Sequence, residues 1–205
     1  MKNDKLRNST LILGEGPTEF YYFNSLRGEI GGVTIAPDYP KHTNVAELGK
    51  KIAEGIAMGY PRIFCVVDMD TKLPGTPEFT AYGKLRGKYS KPVSNRRRGI
   101  YCEVRFFESH RCTELFFLYY FRYTSKLYND QEALIADLNK ECPYEKTQAF
   151  FIKCKGQHKY FEKHDGSLSA AIRNADESIA ERIEVPRDHT YSELGTMMRE
   201  LCFKP

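Results

Sequence analysis

Residues Arg62–Asp70 read RIFCVVDMD, an apolar run rich in β-branched residues that ends in two carboxylates. A run without polar alternation is typical of a strand buried on both faces, as strands of parallel sheets are. Residues two apart on an extended chain point the same way, so we expect Asp68 and Asp70 to face one point. Carboxylate oxygens suit Mg²⁺ or Mn²⁺, and open α/β sheets bind ligands beyond the carboxyl ends of their strands. On this spacing alone, a surface loop that Asp70 helps to turn is an equal alternative.

A second strand end carries another carboxylate near the amino end of the chain. Ser9–Leu13 is a short apolar run, and Gly14–Glu19 (GEGPTE) follows it, with glycines on both sides of Glu15. Glycines allow a sharp turn, and the residues after them suit the first turn of a helix. Alone, Gly-Glu-Gly is more often an ordinary turn. Together with the two aspartates it predicts a cluster of three carboxylates, Glu15, Asp68 and Asp70, at one edge of the sheet.

Hydrophobic periodicity predicts strands that alternate with helices along the chain. Strands are predicted at Thr10–Leu13, Val33–Ala36, Arg62–Val67 and Ile100–Phe107. Helices are predicted at Phe20–Leu26, Val45–Met58, Phe79–Tyr89, Cys112–Arg122, Gln131–Lys140, Thr147–Lys153 and Ser167–Ile183, with a last helix capped by Asp188 or Thr190 and reaching Leu201. Such alternation favours a mostly parallel α/β sheet of about four strands flanked by helices. We expect this core in residues 1–125 and a helical C-terminal region in residues 126–205, packed on it as a single compact unit.

The two strand ends, Gly14–Glu19 and Val66–Asp70, are followed by three later motifs. Ser109–Phe121 has the form Ser-x-x-Cys-x-Glu before an aromatic helix, and Ala170–Ala175 and Thr190–Leu194 lie further along the chain. Together these motifs resemble the RloB-like family, small proteins found near restriction and phage-defence genes. The strand ends also resemble the TOPRIM signature of topoisomerases, primases and OLD-type nucleases. The chain departs from the family in having His-Arg where Asn-Pro usually follows the serine, and in lacking Trp.

The resemblance implies a TOPRIM or Rossmann-like fold and a nuclease that hydrolyses nucleic-acid phosphodiester bonds with Mg²⁺ or Mn²⁺ in anti-phage defence, through abortive infection or a link to restriction. Asp68 and Asp70 would bind the metal, and Glu15 would bind a metal or act as general base. Glu114 is preferred as a further metal ligand or as a residue that orients the ligands, and Glu108 is its substitute. A carboxylate in the first turn of a helix, however, also complements the helix dipole without any other role.

The resemblance further implies residues that support this chemistry. Thr18, Glu19 and Ser109 are expected to orient the metal ligands. A lysine assists the carboxylates of OLD-type nucleases, so Lys155 or Lys159 would approach the scissile phosphate. For either lysine, an exposed cationic face is the simpler interpretation.

A basic segment follows the two aspartates and would contact the phosphates of a nucleic acid. Its cations include Lys84, Arg86, Lys88, Lys91, Arg96, Arg97 and Arg98. Tyr82 and Tyr89 are placed to stack on unpaired bases, although scattered tyrosines are more often packing residues. A solvated surface loop remains an equal interpretation of the segment.

Composition bounds the remaining alternatives. The 205 residues suit one domain, and the net charge of +4 permits nucleic-acid binding without indicating it. Six cysteines without a CxxC pair predict reduced thiols, such as Cys65 in the buried strand. We expect a cytoplasmic protein without a membrane span that binds DNA or RNA, with a homodimer among the expected assemblies. No P-loop is present, so a partner ATPase encoded nearby would be a separate protein. The competing function is a non-catalytic metal- or nucleotide-binding regulatory module, or an adaptor, of a defence system.

Overall fold

The computed structural model describes residues 9–27, 34–37, 44–184 and 190–202. Two sequence predictions fall outside this part of the chain, namely the start of the second strand at Val33 and the cap at Asp188. Of the second strand, only the backbone is described. Among the described residues, no helix is both long enough and apolar enough to cross a membrane.

The described strands are β1 (Ser9–Leu13), β2 (Thr34–Pro37), β3 (Arg62–Asp68), β4 (Val93–Asn95), β5 (Ile100–His110) and β6 (Tyr191–Ser192). The described α-helices are α1 (Pro17–Ser25), α2 (Val45–Met58), α3 (Pro77–Lys88), α4 (Glu114–Leu118), α5 (Gln131–Glu141), α6 (Gln148–Lys153), α7 (Gln157–Lys163), α8 (Leu168–Glu184) and α9 (Leu194–Cys202). Side-chain oxygens cap several of the helices: Asn44 accepts from the Glu47 amide at the start of α2, and Asp130 accepts from the Ala133 amide at the start of α5.

The sheet has the strand order β2-β1-β3-β5-β4, and β6 pairs with β5. The pairs β1–β2, β1–β3 and β3–β5 are parallel, which confirms a mostly parallel α/β sheet flanked by helices. The predicted number of about four strands is too low, because the described part of the sheet has six. The two strands that were missed, β4 and β6, are antiparallel to β5 and only three and two residues long. Such short segments carry no periodic hydrophobic signal, so their pairing depends on the exposed edge of β5.

The helix predictions need three corrections. The helix predicted at Cys112–Arg122 is confined to α4, and the residues just after it form turns. Helix α7 had no prediction of its own. Thr190 lies not at a helix start but directly before β6, because Tyr191 and Ser192 pair with the end of β5.

Each face of the sheet packs on a separate hydrophobic cluster. Phe64 and Val66 of β3 face one cluster, which contains the aromatic residues of α1 and α4. Ile63, Cys65 and Val67 face the other, which lies under α2 and α3. Cys65 is buried and unpaired, as the sequence predicts. Strand β3 is therefore covered on both sides, which explains why its sequence is apolar without alternation.

Candidate carboxylate site

The carboxyl ends of three parallel strands lie at one edge of the sheet. In the register of β1 and β3, Leu13 is opposite Cys65, and in that of β3 and β5, Asp68 is opposite Ser109. The loops that follow β1 and β3, with residues at the starts of α2 and α3, line an open pocket of ≈ 580 Å³. Its lining includes Glu15, Asp68, Asp70 and Lys72. The structure thus brings together the three carboxylates that the sequence grouped, and adds a lysine.

Asp68 is held by the residue that precedes α4. The backbone amide of Thr113 donates to Asp68 Oδ1 at 2.9 Å, and the Thr113 hydroxyl donates to the same oxygen at 3.1 Å. Asp70 Oδ1 accepts a hydrogen bond from the Thr71 amide at 2.7 Å. Both aspartates are only partly buried, and each remains part of the pocket lining.

Glu19 folds back from α1 toward the turn before the helix. Its Oε2 accepts a hydrogen bond from the Gly16 amide at 2.8 Å. A Cβ atom on Gly14 would overlap with the Cβ atom of Glu19, so only glycine at this position allows the glutamate to pack there. The sequence assigned Glu19 a supporting role, and the structure places it, almost fully buried, among the carboxylates of the site.

Glu114, in the first turn of α4, is fully buried and directly follows the residue that holds Asp68. Tyr144 Oη donates to its Oε1 at 3.0 Å, and Gln131 Nε2 donates to its Oε2 at 3.1 Å. Lys146 Nζ lies 3.1 Å from Glu114 Oε1. Because three polar side chains from other parts of the chain converge on it, Glu114 does more than complement a helix dipole.

Burial, together with neighbouring negative charges, raises the pKa values of three carboxylates in this cluster. Burial, with contributions from Glu19 and Asp70, raises the pKa of Glu15 from 4.5 to about 7 although Lys72 opposes the shift. Burial and the charge of Glu114 raise the pKa of Glu19. Burial and the charges of Glu19, Glu114 and Glu15 raise the pKa of Asp68 well above its ordinary value. Carboxylates in this state favour any added cation.

Two lysines that the sequence analysis did not select supply the positive charge. Lys72 is almost completely buried, and its Nζ lies 2.7 Å from Glu15 Oε1 while it donates to the Asp68 carbonyl oxygen at 2.8 Å. Burial opposes the charge of Lys146, but Glu114 and Asp68 outweigh it and raise the pKa of this lysine. The position of Lys72, two residues after Asp70, is a signal that sequence reasoning could have used. Lys146 is remote in sequence and offers none.

A family model described as RloB-like protein matches residues 10–202 of the chain. The chain belongs to the RloB-like family. Neither a search among curated proteins nor one among solved structures finds a match to it. The Ser109–Phe121 motif that resembled this family supplies Thr113 and Glu114 to the carboxylate site.

The carboxylates of this RloB-like chain fit a divalent cation by their chemistry. They offer oxygen donors, which Mg²⁺ and Mn²⁺ prefer, and burial and neighbouring carboxylates raise the pKa values of Glu15 and Asp68, which a bound cation would lower. In residues 9–27, 44–184 and 190–202, however, no three side chains of His, Cys, Asp or Glu are already grouped as metal ligands. Side-chain rotation, with Glu15 leaving Lys72, would have to accompany metal binding.

The remaining candidates near the site have other partners. The Ser109 hydroxyl pairs with the Ser192 hydroxyl at 2.8 Å. Thr18 is buried in α1. Glu108, the substitute for Glu114, lies opposite Val67 in the register of β3 and β5, one position before the pair of Asp68 and Ser109. Its carboxylate accepts hydrogen bonds from three side chains: Tyr82, Arg86 and Tyr191. Tyr82, considered for base stacking, packs on Phe106.

The predicted cationic residues lie away from the carboxylates. Gly156, next to Lys155, packs against Ser25 at the end of α1, and α7 with Lys159 contacts the same helix. That end of α1 is about 12 Å along the helix from the turn containing Glu15. Arg96, Arg97 and Arg98 form a 3-10 turn before β5, about 30 Å along that strand from Ser109. Lys84 and Lys88 are exposed on α3.

Proposed function

We propose that this RloB-like protein is a metal-dependent nuclease that hydrolyses phosphodiester bonds of nucleic acids, and that it acts in anti-phage defence. One observation carries the activity: Glu15, Glu19, Asp68, Asp70 and Glu114 lie together at the carboxyl ends of parallel strands, with too little positive charge around them. Such a cluster would favour a divalent cation and the phosphate that accompanies it. The defence role rests on the family alone.

Each residue of the pocket would have its own role in hydrolysis. Asp68 and Asp70 would hold Mg²⁺ or Mn²⁺, which when bound polarises a phosphoryl oxygen and lowers the pKa of water. Glu15 would bind the metal or accept the proton of the attacking water at a carboxylate oxygen, since its pKa of about 7 suits a general base. Lys72 Nζ, on release from Glu15, would donate to an oxygen of the phosphate. Glu114 and Lys146 would fix Thr113 and thereby Asp68.

The order of strands and the position of the acids are what a TOPRIM-type fold related to OLD nucleases would need. The motifs at Gly14–Glu19 and Val66–Asp70 support that relation. A separate ATPase encoded nearby is the partner that this proposal expects, because the sequence has no P-loop of its own.

A cleavage assay tests the activity directly. Labelled plasmid, single-stranded DNA and RNA are incubated with Mg²⁺, Mn²⁺ or EDTA and with wild type, Glu15→Gln or Asp68→Asn. In Asp68→Asn, the amide oxygen would still accept the hydrogen bonds from Thr113, so loss of activity would report the lost charge. We expect metal-dependent cutting that both substitutions abolish and that Asp137→Asn, a buried aspartate elsewhere, retains. Cutting that persists in EDTA or in Asp68→Asn would refute the proposal.

One observation favours a second candidate, a regulatory module that binds a metal-bound nucleotide without cutting. Lys72 and Lys146 already pair with Glu15 and Glu114, and no three donors are pre-arranged among the described residues. Mn²⁺ binding by a folded protein that cuts none of the three substrates would support this function over the nuclease.

A further inference from the structure

A second pocket lies on the other side of the loop that carries the two aspartates. It has a volume of ≈ 330 Å³ and is bounded by Met69, Lys72, Leu73 and Pro74 of this loop. Asp68 and Asp70 line the carboxylate pocket, whereas Met69 lies between them and lines the second one, as expected for alternating residues on an extended chain. Lys72 lines both pockets, so the two are neighbours across a single side chain.

The second pocket is cationic. Arg111 and Arg182 line it together with Lys72. None of the described residues that line it is acidic, and the Glu108 carboxylate lies behind Tyr191. Arg111 is anchored, because its Nε donates to the Tyr128 carbonyl oxygen, and the same residue lines the pocket. Guanidinium groups bind phosphate oxygens through several donors at once.

One wall of the pocket is a stack of flat groups. The Arg182 guanidinium lies 3.7 Å from the centre of the Tyr191 ring, and the Tyr191 ring is nearly parallel to that of His110. Tyr191 is fixed in place because its hydroxyl donates to buried Glu108 at 2.9 Å. The wall is therefore rigid before any ligand binds, which lowers the cost of binding.

The opposite rim is apolar and exposed. Leu73, Phe79 and Leu127 line the pocket, and their exposed fractions are 42%, 41% and 47%. They are among the large apolar side chains that are exposed to solvent. Exposed apolar groups around a polar pocket mark a binding site for a partly apolar ligand. A planar ring with an attached phosphate has this combination of properties.

We propose that this second pocket binds one unpaired nucleotide of the substrate, with its base against Phe79 and the adjacent leucines and its phosphate on Arg111 and Arg182. The inference rests on the proposed nuclease function and narrows its substrate class to single-stranded nucleic acid. The volume, at the lower limit of ligand pockets, suits about one nucleotide. Lys72 would then contact the neighbouring phosphate in the carboxylate pocket.

A nucleotide that is base-paired in a duplex cannot occupy the second pocket in this way. A base inside a double helix is stacked on both faces and cannot enter a pocket beside the backbone, whereas unpaired bases stack readily on aromatic side chains. DNA and RNA share this chemistry, so separate assays must distinguish them.

The test is binding without cleavage. Fluorescence anisotropy in EDTA measures the affinity of the full-length protein for labelled single-stranded DNA and RNA of about 12 nucleotides and for the matching duplexes. We expect at least one single strand to bind about 10-fold more tightly than its duplex. Equal or tighter binding of both duplexes would overturn the assignment.

Two exposed positions test the pocket itself. Arg182→Glu should weaken single-strand binding by about 10-fold, and Phe79→Ala by about 5-fold, because each removes a contact to the phosphate or the base. The matched control for Arg182 is Arg173→Glu, which makes the same charge change at a position of α8 outside the pocket. Tyr101→Ala, at an exposed aromatic residue of β5, is the control for Phe79.

The outcomes separate this inference from the proposed function. If pocket variants bind single strands as well as the wild type or lose no more affinity than their controls, the pocket assignment fails, whatever the cleavage assay shows. If the variants lose affinity as expected while the wild type cuts no substrate, the pocket stands and the nuclease proposal fails.

Discussion

Asp68 is partly buried and Asp137 is buried, and the side chains around the two aspartates differ in charge. Asp137 is buried on α5, where Lys126 and Lys140 donate to it at 2.8 and 2.6 Å and the Tyr128 hydroxyl at 2.9 Å. Those hydrogen bonds to Lys126 and Lys140 hold its pKa below the usual range despite burial. Asp68 is partly buried beside three glutamates, and burial with their charges raises its pKa.

The direction in which the pKa of an aspartate is shifted in this protein therefore depends on its charged neighbours as well as on its burial. Asp137 is the more buried of the two by its exposed area, yet its charge is fully compensated and stabilises the fold. At Asp68, burial and the charges of Glu19, Glu114 and Glu15 disfavour the charged form. Carboxylates with strongly raised pKa values are typical of functional sites, and this is the physical reason to propose metal binding near Asp68.

The largest expected effect is on metal affinity. Asp68→Asn and Asp70→Asn should each weaken Mn²⁺ binding by at least about 100-fold, because each removes a charged oxygen donor. Isothermal titration calorimetry of the purified protein measures the affinity. Asp137→Asn serves as the control and should bind Mn²⁺ as the wild type does; if it loses binding equally, the contrast between the two aspartates does not hold.

The next largest effect is on the cleavage rate, and it distinguishes Lys72 from Lys155 and Lys159. Lys72→Gln should lower the rate of metal-dependent cleavage by about 10- to 100-fold, since glutamine supplies no positive charge to Glu15 or to a phosphate. Lys155→Gln and Lys159→Gln, in a segment that packs near the far end of α1, should change it by less than about 2-fold. Single-turnover rates check this. A larger loss in Lys155→Gln or Lys159→Gln than in Lys72→Gln would show that the assisting lysine is the one expected from the family resemblance.

Stability should change in opposite directions at the two aspartates. In EDTA at pH 8, Asp68→Asn should raise the free energy of unfolding by about 1–3 kcal/mol, because it removes repulsion and keeps an acceptor for Thr113. Asp137→Asn should lower it by about 1–2 kcal/mol, a modest loss because Lys126 and Lys140 are largely exposed. Urea denaturation measures the free energy of unfolding of each variant. A change of the same sign in both variants would contradict the proposed difference between the two aspartates.

The last prediction concerns how stability depends on pH. The pKa of Glu15 is raised from 4.5 to about 7 in the folded protein, so its contribution is fully present below pH 4.5 and is lost as the pH rises to about 7. The loss amounts to at most about 3 kcal/mol, or a fall in Tm of several degrees. Thermal unfolding in EDTA from pH 5 to pH 8 should show this fall.

A matched pair of variants isolates the contribution of Glu15. Glu15→Gln should flatten the curve between pH 5 and pH 8, whereas Asp137→Asn should keep the slope of the wild type. Asp137 acts in the other direction, because its lowered pKa gives stability that is present above pH 3.8 and is lost only as the pH falls below it. An unchanged slope in Glu15→Gln would show that another group causes the dependence.

The contrast between strands β3 and β6 explains which strands could be predicted from the sequence and which could not. Strand β3 has an uninterrupted apolar sequence, because both of its faces are covered, and that pattern alone predicts it. Strand β6 consists of Tyr191 and Ser192, whose pairing with Ser109 and His110 depends on a chain segment about 80 residues earlier in sequence. No local pattern contains that information.

The sequence by itself determined the α/β class, the parallel strands and the position of Glu15, Asp68 and Asp70 at strand ends, because hydrophobic periodicity and chain direction are local properties. The family resemblance suggested Glu19 and Glu114, but only the tertiary structure shows that both are buried beside Asp68 and that Lys72 and Lys146 are the lysines of the cluster. The same holds for the second pocket, whose cations come from distant segments. Burial and charge compensation depend on what packs against a residue, and that is set by contacts between parts of the chain that are far apart in sequence.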